Sequence, residues 1–252
     1  MNKLGKILVG FILGMLLISM IPAGETAKDI VRKADEKSRG NSLQSDITIQ
    51  IVRPTWTREM SMKSWAKGTD LALVLITSPA KDKGTVFLKR KREAWNWVPS
   101  IERTVKLPPS MMSQSWMGTD FTNDDMIKST SVVDDYDQKI LGEQVVSGRN
   151  CYKIELIPHP QAAVVWGKQI VWIDKTDYLM LKTEFYDEDN KLVNTMVFSN
   201  IKNMGGRTVP TRMEMTPADK PGNKTVMIYN NMVFDKPMAD NFFTTNNMKT
   251  VK

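Results

Sequence analysis

The chain has 252 residues, with 35 Lys and Arg against 28 Asp and Glu, one histidine and one cysteine. A single cysteine excludes an intramolecular disulfide, and one histidine with one cysteine cannot supply the clustered ligands of a zinc site. The formal charge of +7 is scattered among acids, as in Lys81-Asp82-Lys83, and does not gather into the basic stripe that marks a nucleic-acid partner.

In chain order, Lys3 and Lys6 precede an uncharged apolar run, residues 7–21, closed by Pro22-Ala23-Gly24. This is the layout of a secretory signal peptide, with cleavage predicted near Ala23. The run is shorter than the ~20 apolar residues of a membrane span; an uncleaved N-terminal anchor is the alternative. The chain thus divides into a signal peptide, 1–23, and one domain, 24–252, working outside the cytosol. That location excludes most ATP- and NAD-dependent chemistry. No cysteine near residue 23 is present to take a lipid, so the mature domain is predicted to be soluble.

Residues 25–39 read as an amphipathic helix, with Ala27, Ile30, Val31 and Ala34 as its apolar stripe and Gly40 as its stop. From Leu43 the period becomes two. Strands are predicted over 45–52, 56–67, 71–77, 84–91, 94–98 and 101–107, with Lys89 to Arg92 at a solvated hairpin end. Pro108-Pro109 interrupts the pattern and is predicted to open a short helix over 110–117 that Gly118 ends. Thr122-Asn123-Asp124-Asp125 is predicted to cap a second helix, 124–129. Strands resume over 136–146, 151–157, 164–174, 179–186, 192–201, 208–215 and 224–234, followed by a short tail helix around 238–243. The expectation is a mainly β chain: one curved antiparallel sheet of about eleven strands, with a few short helices against it.

No catalytic constellation is legible. His159 lies between two prolines with no flanking nucleophile motif, and it reads as a turn residue. Asp187-Glu188-Asp189 lacks the ligand spacing of a calcium loop. Cys151, Lys153 and Glu155 alternate along a strand, which makes Cys151 a small strand residue. The reading is of a protein that is not an enzyme, with no metal and no cofactor. What stands out is apolar surface. The chain has 18 methionines, three of them (Met1, Met15, Met20) in the signal segment. Methionine is flexible and suits surfaces that accept apolar partners of varying shape. Met111, Met112, Trp116 and Met117 would point in nearly every direction of a helix over 110–117, and Trp95 and Trp97 share one strand face.

Three segments carry a more specific signal: residues 81–89 (KDKGTVFLK), Trp95-Asn96-Trp97-Val98-Pro99 with Arg103 beyond it, and residues 115–121 (SWMGTDF). Together with Asn150-Cys151-Tyr152-Lys153 after a glycine turn, they resemble the outer-membrane lipoprotein-sorting protein family, the LolA-like periplasmic carriers. The resemblance implies an unclosed antiparallel half-barrel in the periplasm, with helices as a lid or plug over a cavity for the acyl chains of a lipoprotein or another lipid. It further implies delivery from an inner-membrane transporter towards the outer membrane, transient contact with a membrane surface, and a monomer that binds no nucleic acid. The same fold also occurs in non-enzymatic periplasmic sensors that bind a lipid or lipoprotein and a membrane partner, which is the alternative function. On that reading, Met60, Met62, Leu73, Leu75, Leu88, Trp97, Ile154, Leu156, Leu181 and Phe185 are the strand positions expected to line the cavity. Met111, Met112, Trp116, Met117 and Phe121 belong to the lid.

Overall fold

The structure is a computed structural model and describes residues 25–128, 131–162 and 164–252. The predicted signal peptide, residues 1–23, lies outside the described residues.

The helix α1 spans Ala27–Arg39. The Thr26 side chain accepts from the Asp29 amide at its start, and Gly40 (φ 63°) ends it by donating its N–H to the Glu36 carbonyl. These are the caps that the local sequence dictates. Its buried stripe is Ile30, Val31 and Ala34.

Thirteen strands follow, one for each segment predicted above and more than the total of about eleven: β1 (Ser42–Arg53), β2 (Trp56–Lys67), β3 (Leu71–Ser78), β4 (Val86–Arg90), β5 (Glu93–Val98), β6 (Arg103–Lys106), β7 (Tyr136–Val146), β8 (Arg149–Pro158), β9 (Lys168–Asp174), β10 (Met180–Tyr186), β11 (Leu192–Met204), β12 (Arg207–Pro217) and β13 (Lys224–Phe234). They form one sheet in the order β6-β5-β4-β3-β2-β1-β13-β12-β11-β10-β9-β8-β7. Two antiparallel meanders, β1–β6 and β7–β13, are therefore joined along a single seam where the first strand pairs with the last. β6 and β7 are free edges, so the sheet does not close.

Between those edges, the described residues 107–128 and 131–135 leave the sheet and pack on its concave face. This crossing segment is less helical than the sequence suggests. The predicted 110–117 helix is one 3-10 turn, Pro109–Met111, followed by a loop in which Ser115 bridges Thr122. The helix fails because its carbonyls are taken by other partners. The Met111 carbonyl accepts from Asn123 Nδ2 and the Met112 carbonyl from the Asp124 N–H, where a helix would give them to Ser115 and Trp116; beyond them the Met117 and Gly118 carbonyls accept from Arg58 and Arg53. Met117 and Gly118 both take positive φ (50° and 78°), which ends any right-handed turn there. The second helix is a π-turn, Asp124–Lys128, with reciprocal capping. Asp125 N–H donates to Thr122 Oγ1 at 3.1 Å, and the Asp125 carboxylate accepts from Thr122 N–H at 2.8 Å.

After β13, the tail turns back over the convex face. Its only helical piece near the predicted one is a 3-10 turn, Asp240–Phe242. Phe243 and Met248 pack there with Leu73, Leu75, Val86 and Leu88, flanked by Trp65, Trp95 and Trp97. Lys67 binds Asp240 at 2.6 Å and Arg90 donates to the Phe243 carbonyl at 3.1 Å, which fixes the tail in place. Lys89, expected at a solvated hairpin end, is buried, and its ammonium donates to the Thr69 carbonyl.

Candidate ligand cavity

The two coverings of the concave face are centred on different strands and meet where Val132 and Val133 pack with α1. α1 lies over the β7–β9 end, where Ile30, Val31 and Ala34 pack with Tyr136, Ile154, Leu156, Val171 and Ile173. The crossing segment lies over β1–β5, where Met112, Trp116, Phe121 and Ile127 pack against Ile49, Met60, Val74 and Phe87. The Trp116 ring sits 5.3 Å from that of Phe87. A cavity of about 420 Å³ remains between them, within the size range of small-ligand pockets.

Its wall is soft. Met62, Met196, Met213, Met215, Met227 and Met232 line it from four strands, and Met126 adds to it from the crossing segment. Ala66 and Ala72, paired across β2 and β3, leave space where larger side chains would fill it. Tyr229 faces the cavity, and burial pushes its hydroxyl up to about 12, so it stays neutral and uncharged at physiological pH. The polar side of the opening is the last turn of α1, with Lys37, Ser38 and Arg39; Arg39 is paired with Asp35.

Of the aspartates in the wall, Asp125 is held by an indole. Asp125 accepts from the Trp166 indole N–H at 2.9 Å, and Trp166 stacks at 5.1 Å on Phe185. Burial raises its pKa above the ordinary carboxylate value, against the lowering effect of the Trp166 and Thr122 hydrogen bonds.

The crossing segment is clamped at the end of the half-barrel where β1 finishes and β13 starts. Asp120 pairs with Arg53 at 3.0 Å and accepts from Thr225 Oγ1 at 2.6 Å, with both ion-pair partners largely buried. Arg53 also donates to the Gly118 carbonyl, and Asn194 to that of Asp120. Sequence reading missed this clamp. Its partners are 67 and 105 residues from Asp120, and no local pattern announces such a contact.

The expected lining residues separate into four groups. Met62, Phe121 and Phe185 line the cavity. Met60, Met112 and Trp116 are buried in the packing between the crossing segment and the sheet, with Met111 and Met117 partly buried beside them. Ile154 and Leu156 are on the concave face but lie under α1. The placement of Leu73, Leu75, Leu88, Trp97 and Leu181 in the cavity is corrected: all five lie on the convex face. The first four are covered by the tail, and Leu181 packs with Cys151, Ile170 and Trp172. β3 is apolar on both faces, so alternation could not choose between them. Leu181 sits at a register shift between Met180 and Lys182, which breaks its alternation with Thr183 and Phe185. Ala72 and Val74 are the β3 residues that line the cavity.

A family profile described as uncharacterized protein-like matches residues 68–250, well over half of the chain. A LolA superfamily protein from Nitrosomonas europaea is 27% identical and superposes with a TM-score of 0.77, covering 88% of this chain and 99% of its own. The chain belongs to the family of that profile, and its fold is that of the LolA superfamily. A DUF1329 family protein from Desulfovibrio piger is similar at 25% identity and a TM-score of 0.80, covering 88% of this chain and 97% of its own. A domain from Vibrio parahaemolyticus, described as an outer membrane lipoprotein-sorting protein, shares the fold at a TM-score of 0.78 and 23% identity, covering 89% and 100%. No curated protein matches the chain in sequence. The open sheet of this chain is the half-barrel shared with these proteins, its concave face crossed by the clamped residues 107–128.

Among the described residues no group of three or more His, Cys, Asp or Glu side chains is placed to hold a metal ion, and no helix is long and apolar enough to cross a membrane. His159 sits in a turn with its Nε2 3.1 Å from Asp137, and Cys151 is buried, its thiol pKa raised chiefly by burial.

Proposed function

We propose that this protein is a periplasmic carrier that takes up an acyl chain of a lipoprotein or lipid in the methionine-lined cavity and moves it between membranes without chemical change. The observation that carries this reading is the void itself: about 420 Å³ of apolar space held open between α1 and the crossing segment. At about 30 Å³ for each water-sized group, it holds on the order of fourteen methylenes. Each CH₂ removed from water contributes about 0.8 kcal/mol, so a chain that fills the cavity gains on the order of 10 kcal/mol before the costs of ordering it. Release needs the opposite property. A methionine wall adapts to a chain without a rigid fit, and so holds it without a deep, shape-specific minimum.

Residues Met62, Phe121 and Phe185 would then touch the chain, and Met111, Met112, Trp116 and Met117 would hold the segment that covers it. A carrier of this kind collects its cargo from an inner-membrane transporter and meets membrane surfaces transiently, acting as a monomer. Native mass spectrometry of the protein isolated from its own periplasm tests the reading. The expected result is a co-purifying acylated molecule that is lost when the cavity is filled by substitution. Protein that arrives empty, and that takes up no acylated peptide or phospholipid on incubation, would overturn it.

A further inference from the structure

A second void lies on the other side of the sheet and has a different character. It is a groove of about 610 Å³ on the convex face, beside the end of the C-terminal tail. Its floor is apolar: Ile47, Met62, Leu75 and Ile76, with Val251 of the tail on one side. Its rim is cationic, with Lys63, Lys83 and Lys252. Lys63 and Lys83 are exposed, and among the described residues neither forms an ion pair. The one acid on the rim, Asp46, already accepts from Asn231 Nδ2 at 3.3 Å.

The groove exists because two irregularities coincide. β1 shifts register against β13 between Asp46 and Ile47, and β2 shifts against β3 between Ser61 and Met62. Ile47 pairs directly with Met62, so the two bulges are side by side. Bulges bend a sheet and leave part of its ladder unpaired. Here Ile47 and Met62, both buried, adjoin the groove on one side and the main cavity on the other. The partition between the two voids is those two side chains.

We propose that the convex groove is a second binding site, specific for a single-chain anionic amphiphile. The chain lies on Met62, Leu75 and Val251, and the head group meets Lys63 and Lys83. An apolar floor favours an alkyl chain, and the groove has room for on the order of twenty water-sized groups. The unpaired lysines on its rim set the sign of the head group. The site shares the Ile47–Met62 partition with the acyl-chain cavity, but its argument does not rest on that cavity's being occupied.

The test uses dodecanoate and, as the charge-reversed probe, dodecyltrimethylammonium, each titrated calorimetrically into the full mature protein. The background carries Ala66→Phe and Ala72→Phe, which fill the main cavity and leave the groove open. One equivalent of dodecanoate should bind there, at least tenfold more tightly than the cation. Lys63→Glu with Lys83→Glu, two exposed positions, should reverse that preference while the circular dichroism spectrum is unchanged. A dodecanoate carrying a diazirine at the chain end should label peptides containing Met62, Leu75 or Val251. Loss of all binding in the filled background, equal affinity for the two probes, or labelling confined to β11 and β12 would each overturn the proposal.

Discussion

Filling the cavity should abolish cargo uptake while leaving the fold intact. Ala66 and Ala72 face each other across β2 and β3 and both line the void, so Ala→Phe at these sites directs rings into empty space and not into packed neighbours. Each ring adds six carbons, and two together approach the roughly fourteen groups that the 420 Å³ cavity holds. A single Ala72→Phe displaces about six methylenes of a bound chain, which is worth about 5 kcal/mol, or a loss of more than 10³-fold in affinity. Because the void is unfilled in the free protein, thermal stability should hold or rise slightly. The assay is calorimetric titration with a palmitoylated dipeptide, whose neutral, amidated head group avoids the charge of a free fatty acid. Undiminished affinity in the folded double variant would refute the reasoning, since no acyl chain could then occupy the space between α1 and the crossing segment.

Three further outcomes follow from the same geometry. Asp120→Ala removes one partner of a largely buried pair and leaves Arg53 uncompensated, at a cost of about 3 kcal/mol. Hydrogen exchange should localise the loss to residues 112–127 while α1 keeps its protection. Asp125 is protonated more readily in the folded state than in the unfolded chain, since burial raises its pKa. Its contribution to stability is therefore fully present below the ordinary carboxylate value and is lost as pH rises through the raised value. Urea titrations from pH 4 to 7 should show a downward slope in the wild type that Asp125→Asn flattens, and equal slopes would contradict the assignment. Phe243→Ala should cost about 3–5 kcal/mol by opening a hole under the tail, with no change in affinity for the palmitoylated dipeptide.

The strands were legible because half-buried strands must alternate: β2, β7 and β13 have the same ends in the structure as in the sequence reading. α1 was legible from its stripe and its stop. The crossing segment was not, because its backbone is satisfied by Arg53, Arg58 and Thr225, far away in the chain, where a local helix would have used its own carbonyls. The faces of β3 and β4 were not legible either. A strand buried on both sides carries no alternation, and the second burial comes from a tail that lies more than 140 residues farther along the chain. The methionine excess was visible as composition. That it concentrates on β11, β12 and β13 around one void could be seen only after the register was fixed.

The methionines also offer the most direct measurement of the central claim. With ¹³C-methyl-methionine protein and a palmitoylated dipeptide bearing a nitroxide at the chain terminus, the methyl signals of Met196, Met213, Met215 and Met227 should broaden on binding, while those of Met238 and Met248 beneath the tail stay sharp. Broadening at Met238 and Met248 with the cavity methyls unaffected would contradict acyl-chain binding inside the half-barrel.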